Sequence, residues 1–254
     1  MGAGHVSQLY VETRSPLHAA RPECKIVATF LFVLAIVATP REAMWAFACH
    51  AAVVATAAAV GRLRPLLVAR RLTIEVPFLA FALLLPFLAH GERIDVGPVT
   101  VSADGLWGAW NIVAKGTLGV ASAVVLTAVT TQTDLLRGLE RLRLPRTLVA
   151  IMTLMIRFGV VLTDQSRRMQ IARTSRGYDP RWIWQVRALA SSAGTLFVRS
   201  YERGERVYLA MTSRGFTGSL PRTDDTRATP AAWATALTLP LVAAVISCGA
   251  WVSM

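Results

Sequence analysis

The pentapeptide Thr-Ser-Arg-Gly-aromatic occurs twice in this chain, at residues 174–178 and 212–216, and each copy follows a charged stretch that favours a helix. A glycine in this position is typical of a helix C-terminus, because glycine readily adopts the left-handed conformation that ends many helices. An arginine beside it carries five N–H donors on a planar guanidinium, and these bind carboxylates or carbonyl oxygens of another protein. We therefore predict that Arg176 and Arg214 end two helices and dock on a partner that is present in two copies.

Each copy has a serine before the arginine and a glycine after it. A single Arg-Gly at a helix end is typical of an ordinary C-terminal cap, where the helix dipole favours a cation. Repetition of the whole pentapeptide favours two equivalent contacts with a partner instead. The predicted docking residues are Ser175, Arg176, Gly177, Ser213, Arg214 and Gly215.

The composition is that of an integral membrane protein. Of the 254 residues, 54% are hydrophobic and only 17% are charged, the mean hydropathy is +0.48, and the apolar residues form long runs. Residues 1–22 are polar and lack the apolar core of a signal peptide, so we predict that the first apolar run is a retained anchor. Apolar segments are predicted at 25–39, 43–60, 72–89, 110–130, 147–163 and 231–252.

The distribution of basic residues predicts the orientation of the chain in the membrane. The formal net charge is +12, which fits either a nucleic-acid partner or the excess of Lys and Arg on cytoplasmic loops; the apolar runs favour the second. Residues 61–71 carry four arginines and are predicted to be a cytoplasmic loop, which also places the N-terminus in the cytoplasm. Residues 90–109 are predicted to lie outside, with a small hairpin or turn at 95–101.

The segment 147–163 is predicted not to cross the membrane. If it crossed, residues 164–230 would lie outside, yet 132–230 contains 17 of the 27 basic residues and only eight acidic ones. Arg157 also lies near the centre of this segment, where a charged side chain costs roughly 2.5 kcal/mol or more. An apolar helix at the cytoplasmic surface avoids both problems. The alternative is a sixth span with Arg157 facing a cavity.

The predicted fold is an all-α integral membrane protein with about five transmembrane helices and a cytoplasmic helical block before the last one. The predicted regions are 1–130 with four spans, 131–230 with the two Arg-Gly helix ends, and 231–254 with the last span. No strand followed by a GxxxxGK[ST] pattern is present, so ATP hydrolysis by this chain is not expected. No His, Cys or Asp cluster has metal-ligand spacing, so neither a metal site nor a cofactor is expected.

Three polar residues in or beside the apolar segments are predicted to have ordinary roles. Lys115 is expected to extend toward the membrane surface. Glu75 is expected to be solvated or paired with Arg70 or Arg71. His50 is expected to lie at the membrane edge.

The paired motifs resemble those of the transmembrane T component of energy-coupling factor (ECF) transporters, most closely the cobalt-type member, CbiQ. In that family two long cytoplasmic helices end in short Arg-centred motifs, commonly Ala-Arg-Gly. Residues 174–178 and 212–216 occupy those positions, with serine where the family often has alanine. Residues 196–206 resemble the helix that leads to the second motif. The N-terminal family pattern Asp-Pro-Arg-x-Lys becomes Arg-Pro-Glu-Cys-Lys at residues 21–25, which keeps the proline and lysine and exchanges the charged positions.

The resemblance implies a non-catalytic scaffold of an ATP-driven importer in the bacterial cytoplasmic (inner) membrane. Arg176 and Arg214 would each dock on one of two ABC ATPase subunits (CbiO-like). Motion would then pass to a substrate-binding membrane subunit (CbiM-like), which a small accessory membrane subunit can join. The implied cargo is cobalt, with nickel or a vitamin such as biotin as alternatives. A membrane-bound enzyme with a basic cytoplasmic face is a third class, and nucleic acid is not an expected partner.

Overall fold

The computed structural model describes residues 10–11, 13, 15–88, 93–96, 99–178, 186–218 and 228–253, and it is helical apart from one hairpin. A 3-10 turn at Thr73–Glu75 separates α4 from α5, and β1 (Arg93–Val96) pairs antiparallel with β2 (Val99–Ser102). The helices are α1 (Pro16–Ala19), α2 (Pro22–Ala38), α3 (Met44–Val60), α4 (Pro65–Leu72), α5 (Val76–Leu88), α6 (Ala103–Val129), α7 (Gln132–Arg141), α8 (Arg146–Thr174), α9 (Val186–Thr212) and α10 (Pro230–Val252).

The predicted class, an all-α integral membrane protein, is confirmed. Within the described residues, four helical stretches are long and apolar enough to cross a membrane: 65–88, 103–129, 146–174 and 230–252. The helix α3 is shorter and also apolar, and α2 has the same 17-residue length, which is near the minimum for a span. The hairpin predicted at 95–101 is present as β1 and β2.

Two sequence predictions differ from the helix bounds. The loop predicted at 61–71 is helical from Pro65 onward, because proline at the first helical position lacks only an N–H that would have no partner there. The apolar segment 147–163 and the charged stretch after it form one continuous helix, α8, of 29 residues. By length and composition α8 is a candidate span. The prediction that 147–163 does not cross therefore depends on the excess of basic residues in 132–230 and on Arg157.

The chain divides into two compact units. Residues 9–141 and 226–254 form the first, here called the span unit, and residues 1–8 and 142–225 form the second, here called the inserted unit. The division falls after α7, which belongs to the span unit although the sequence grouped it with the cytoplasmic block. The linker predicted at 217–230 lies largely outside the described residues.

Small residues at the helix contacts hold the span unit together. The core between α2, α3, α6 and α10 includes Phe32, Ile36 and Phe47, with alanines where the helices meet, such as Ala121 and Ala243. In a bilayer, helices associate by close packing and interhelical hydrogen bonds, and small residues allow the backbones to approach. The alanine-rich sequence of α3 serves this purpose.

Two lysines bind carbonyl groups at opposite ends of α2 and α6. Lys25, at the start of α2, donates to the carbonyl oxygen of Val129 at the end of α6, with Nζ and O 3.1 Å apart. Lys115, in α6, donates to the carbonyl oxygen of Val37 near the end of α2, at 2.8 Å. A cation at a helix C-terminus satisfies carbonyls that have no partner within the helix. Lys115 thus fixes a helix pair, where the sequence suggested only an extended surface lysine.

A buried polar cluster joins the last span to the first two. The Oγ of Ser247 in α10 lies 2.9 Å from the carbonyl oxygen of Ala35 in α2 and 3.0 Å from Oγ1 of Thr39. The Nε2 of His50 lies 3.2 Å from that same Oγ1, and the imidazole is fully buried. The imidazole of His50 thus completes an interhelical network, a contact that the sequence did not indicate.

The helix α10 runs parallel to α2. Ser247 is level with Ala35, and Nε1 of Trp251 donates to the carbonyl oxygen of Ala38 at 2.9 Å. Later residues of α10 thus meet later residues of α2. The first residues of both helices consequently lie toward the same face of the span unit.

The helix α7 packs against the first turn of α2. Gly138 lies so close that a Cβ there would be 2.7 Å from Cδ1 of Ile26 and 3.1 Å from two backbone atoms, N of Glu23 and C of Pro22. The Nη1 of Arg141 lies 3.1 Å from both carboxylate oxygens of Glu23, whose side chain is only 4% exposed. Glu23 stands where the family pattern has arginine, and its ion pair with Arg141 joins α2 to the end of α7.

The carboxyl group of Glu75 is buried, so the expectation of a solvated side chain is wrong, whereas the alternative pairing with Arg70 or Arg71 stays a prediction. The residue is 4% exposed and packs against Gly116 of α6, where a Cβ would contact its Oε1. The 3-10 turn at Thr73–Glu75 directs this side chain toward α6 instead of toward the surface.

Substitution of Gly138 by leucine should separate α7 from α2. The new side chain meets backbone atoms that cannot move aside, and overpacking of this kind costs about 1–3 kcal/mol. We expect the unfolding temperature of the isolated chain in detergent to fall by several degrees, measured by the loss of helical circular dichroism.

The matched control is Gly159→Leu in α8, where no atom lies within 4 Å of the added Cβ and leucine favours a helix over glycine. This variant should unfold at or above the wild-type temperature. Equal thermal stability of the two variants would contradict the proposed contact.

Candidate docking site at two helix ends

The first predicted motif lies at the end of α8. This helix has 29 residues without a proline, which corresponds to about 44 Å at 1.5 Å per residue. Its first half is apolar and largely exposed, with Ile151 and Met155 48% and 66% accessible. Its second half carries an exposed ion pair, in which Nη2 of Arg168 lies 2.9 Å from Oδ2 of Asp164.

The second motif lies at the end of α9, a helix of 27 residues that packs on α8. Apolar and aromatic side chains remain exposed along it, including Phe197 and Tyr208. Glu202 and Arg206 form an exposed pair with Nη1 and Oε2 3.9 Å apart, which is the i,i+4 order that supports a helix.

The two helices end in the same hydrogen-bond pattern. In α8, the amide of Gly177 donates to the carbonyl of Thr174 and the amide of Tyr178 donates to that of Arg173, both at 3.1 Å. In α9 the amides of residues 215 and 216 donate in the same way to the carbonyls of residues 212 and 211, both at 3.0 Å. This pair of bonds is the Schellman motif, which satisfies carbonyls at the end of a helix.

Both caps require glycine. Gly177 and Gly215 have φ angles of 80° and 84°, in the left-handed region that costs an L-residue with a side chain roughly 1–2 kcal/mol. The prediction that these two glycines end helices is confirmed.

The predicted docking arginines are both exposed. Within the described residues, no carboxylate forms an ion pair with Arg176 or Arg214. Each guanidinium therefore offers its donors to an external acceptor from a helix end that the cap holds in place. The role of these two arginines in docking stays a prediction.

The serines beside the arginines have their hydroxyl groups occupied. The Oγ of Ser175 donates to the carbonyl of Ala172, and that of Ser213 donates to the carbonyl of Ala210, each at 3.0 Å. A serine bonded back to its own helix presents a small, satisfied surface. The replacement of the family's alanine by serine thus leaves the shape of the helix end nearly unchanged.

The two ends differ in one contact that the sequence analysis missed. In the first, the guanidinium carbon of Arg173 lies 5.1 Å from the centre of the Tyr178 ring. Met211 and Phe216 hold the equivalent positions in the second. The spacing of five residues could have revealed both pairs, because side chains at these two positions of a Schellman motif commonly touch.

The described residues contain no group of three or more His, Cys, Asp or Glu side chains that could hold a metal ion. The site as found consists of two capped helix ends that each present a cation. An exposed guanidinium of this kind is suited to charge-assisted hydrogen bonds with carboxylates.

The described residues thus form a helical protein with several candidate membrane spans and two capped helix ends. Residues 13–224 match the family described as "Cobalt transport protein", CbiQ. The chain belongs to this family, which includes T components of ECF transporters.

Three individual relatives carry names of transport proteins. The energy-coupling factor transporter transmembrane protein EcfT of Thermanaerovibrio acidaminovorans is 30% identical, over 88% of this chain and 86% of its own. The cobalt transport protein CbiQ of Rhodobacter capsulatus is 28% identical, over 69% of this chain and 75% of its own. A putative fused cobalt transport protein CbiMQ of Methanocorpusculum labreanum is 25% identical over 63% of this chain, and the match covers 28% of that longer protein.

Alanine in place of Gly177 or Gly215 should loosen the corresponding helix end. Each change forces a side chain into the left-handed region and should weaken the cap by about 1–2 kcal/mol. We expect faster amide hydrogen exchange at residues 177–178 or 215–216 respectively.

The matched control is Gly204→Ala within α9, where no atom lies within 4 Å of the added Cβ. Alanine favours a helix over glycine by about 1 kcal/mol, so exchange in α9 should slow. Faster amide exchange in all three variants would show that loss of the left-handed caps does not cause the faster exchange.

Proposed function

We propose that this chain is the T component of an ECF-type importer and that Arg176 and Arg214 dock on two ABC ATPase subunits. The observation that carries the proposal is the pair of matching helix ends, each with a left-handed glycine and an exposed arginine without a carboxylate partner in the described chain. A blunt helix end with a fixed guanidinium fits a groove lined by carboxylates or carbonyls. Two such ends suit a pair of ATPases.

The path of the chain supports a location of both ends on one side of the membrane. The helix α7 meets the start of α2, and α10 runs parallel to α2, so the chain leaves the span unit and returns to it at the same face. If α8 crossed the bilayer, the segment before α10 would have to cross back. Among the described residues, α9 is not a candidate span. The excess of basic residues makes this face the cytoplasmic one, which also puts the N-terminus in the cytoplasm.

The exposed apolar faces support contact with a membrane subunit. On α8, Leu148, Ile151 and Met155 are each at least 48% exposed, and contiguous apolar surface of this kind marks a protein or membrane contact. We infer that the substrate-binding subunit and the lipid surface cover these side chains. The printed name of the fused relative, CbiMQ, supports a CbiM-like subunit as that neighbour.

Cobalt is the proposed cargo, since the family description and two of the relatives name cobalt transport. Nickel and a vitamin such as biotin are the alternatives. The chain itself is proposed to be non-catalytic and to reside in the bacterial inner membrane, with ATP hydrolysis in the ATPase subunits.

Replacement of Arg176 and Arg214 together by alanine should release the ATPases. Loss of a charged, hydrogen-bonded contact costs about 2–5 kcal/mol, so we expect the affinity to fall roughly hundredfold or more. The measurement is the amount of ATPase that co-purifies with the tagged chain from membranes that contain all subunits.

The matched control is Arg167→Ala with Arg203→Ala, which removes the same charge from the same two helices at exposed positions away from the caps. This variant should retain two ATPase chains per copy. Retention by the Arg176 and Arg214 double variant would refute the docking assignment.

Uptake into vesicles that contain the complete complex should identify the cargo. We expect ATP-dependent accumulation of radioactive cobalt, unaffected by excess biotin and lost in the Arg176 and Arg214 double variant. Accumulation of nickel or biotin without cobalt would contradict the proposed cargo and leave the coupling role intact.

A further inference from the structure

The two helix ends are alike in their backbone and different in one pair of side chains. Both caps have the same two amide-to-carbonyl bonds. Arg173 and Tyr178 flank the first cap, whereas Met211 and Phe216 flank the second. The first end therefore carries two cations, Arg173 and Arg176, and the second carries only Arg214.

Arg173 is held in place by the Tyr178 ring. The guanidinium carbon is 5.1 Å from the ring centre, within the range of an attractive cation–π contact. Its Nε and Nη1 are buried and have no hydrogen-bond acceptor among the described residues. Two nitrogens of this cation have thus already lost water in the free chain.

A cation that is already ordered and partly dehydrated has less to lose when it enters a groove. Binding otherwise orders a long side chain and removes its water, and both steps oppose association. Guanidinium groups are also weakly hydrated compared with ammonium groups. Arg173 is in this respect prepared for contact with a carboxylate.

Among the described residues, no carboxylate neutralises the first helix end. Asp164 lies more than two turns before Arg173 along α8 and pairs with Arg168 at 2.9 Å. Within the described residues, no carboxylate pairs with Arg173 itself.

We propose that Arg173, held against Tyr178, is a second docking cation of the first helix end. That end fits a groove whose wall presents carboxylates to both Arg173 and Arg176. The second end is anchored by Arg214 alone, beside the apolar pair Met211 and Phe216. The inference rests on the proposed function, since it assumes that both ends dock on ATPases, and it adds that the first contact is the more electrostatic one.

The test uses Arg173→Met, which copies the residue at the equivalent position of the second end and should preserve the cap. The dissociation constant of the complete detergent-solubilised chain for the ATPase pair is measured at low and high salt. Because exposed charge contacts are screened by salt, we expect about a tenfold weaker affinity than wild type at low salt. The two proteins should become similar at high salt.

Arg167→Met is the control, because it removes one exposed charge from the same helix without touching the Tyr178 ring. It should bind as the wild type does at every salt concentration. If Arg173→Met also binds like the wild type, or if both variants lose affinity equally, the second docking cation is refuted.

Two substitutions of Tyr178 test the role of the ring. Tyr178→Phe keeps an aromatic face, as Phe216 does, and should bind like the wild type. Tyr178→Leu keeps the Arg173 charge but removes the aromatic face that holds it, so we expect the affinity at low salt to fall about threefold. Wild-type affinity of Tyr178→Leu would overturn the claim that the ring prepares the cation.

The failure of this inference can be distinguished from failure of the proposed function. If the wild-type chain holds no ATPase, or if the Arg176 and Arg214 double variant still holds it, the docking function itself fails. If the wild type binds and that double variant does not, an unaltered Arg173→Met refutes only the role of Arg173.

Discussion

The first span anchors both points at which the chain leaves and re-enters the span unit. At its N-terminal turn α2 holds α7 through the buried pair Glu23 and Arg141 and through the close approach of Gly138. Along its length it holds α10 through Ser247 and Trp251. Breaking a buried ion pair by removal of one partner commonly costs about 3–5 kcal/mol. Both places where the span unit connects to the rest of the chain are therefore held by α2.

The helix α2 is itself held against α6 by two lysines, one from each helix. Lys25 and Lys115 each bind a carbonyl near the end of the other helix, so axial movement of α2 against α6 would stretch at least one of these bonds. The buried cluster of Thr39, His50 and Ser247 restrains α2 against α3 and α10. Under the proposed function such restraints matter, because movement that is absorbed between the helices of this chain does not reach a neighbouring subunit.

Sequence patterns predicted most helices and both caps, because these depend on local chemistry. Apolar runs located the spans, and glycine after arginine located the helix ends. Contacts between distant residues were not predictable in this way. Nothing in the local sequence around His50 or Glu75 indicates that one completes a network with α10 or that the other faces Gly116.

The candidate site was predictable to a similar extent. Six residues of the repeat lie at the two helix ends as expected, and their local spacing was sufficient to find them. Arg173 was overlooked because the repeat does not include it. Its relevance arises from the fold of the cap, which brings a residue five positions earlier against the aromatic ring.

The continuity of α8 connects its two chemically different halves. A helix of 29 residues without proline is stiff, because its hydrogen bonds repeat at every turn. A displacement of the capped end at Arg176 would consequently move the apolar face near Ile151 with it. The chain is different just before α8, where Arg143 has a φ of 69° and Pro145 is the N-cap of the helix. Under the proposed function, this stiffness lets a contact at Arg176 act on the whole length of α8.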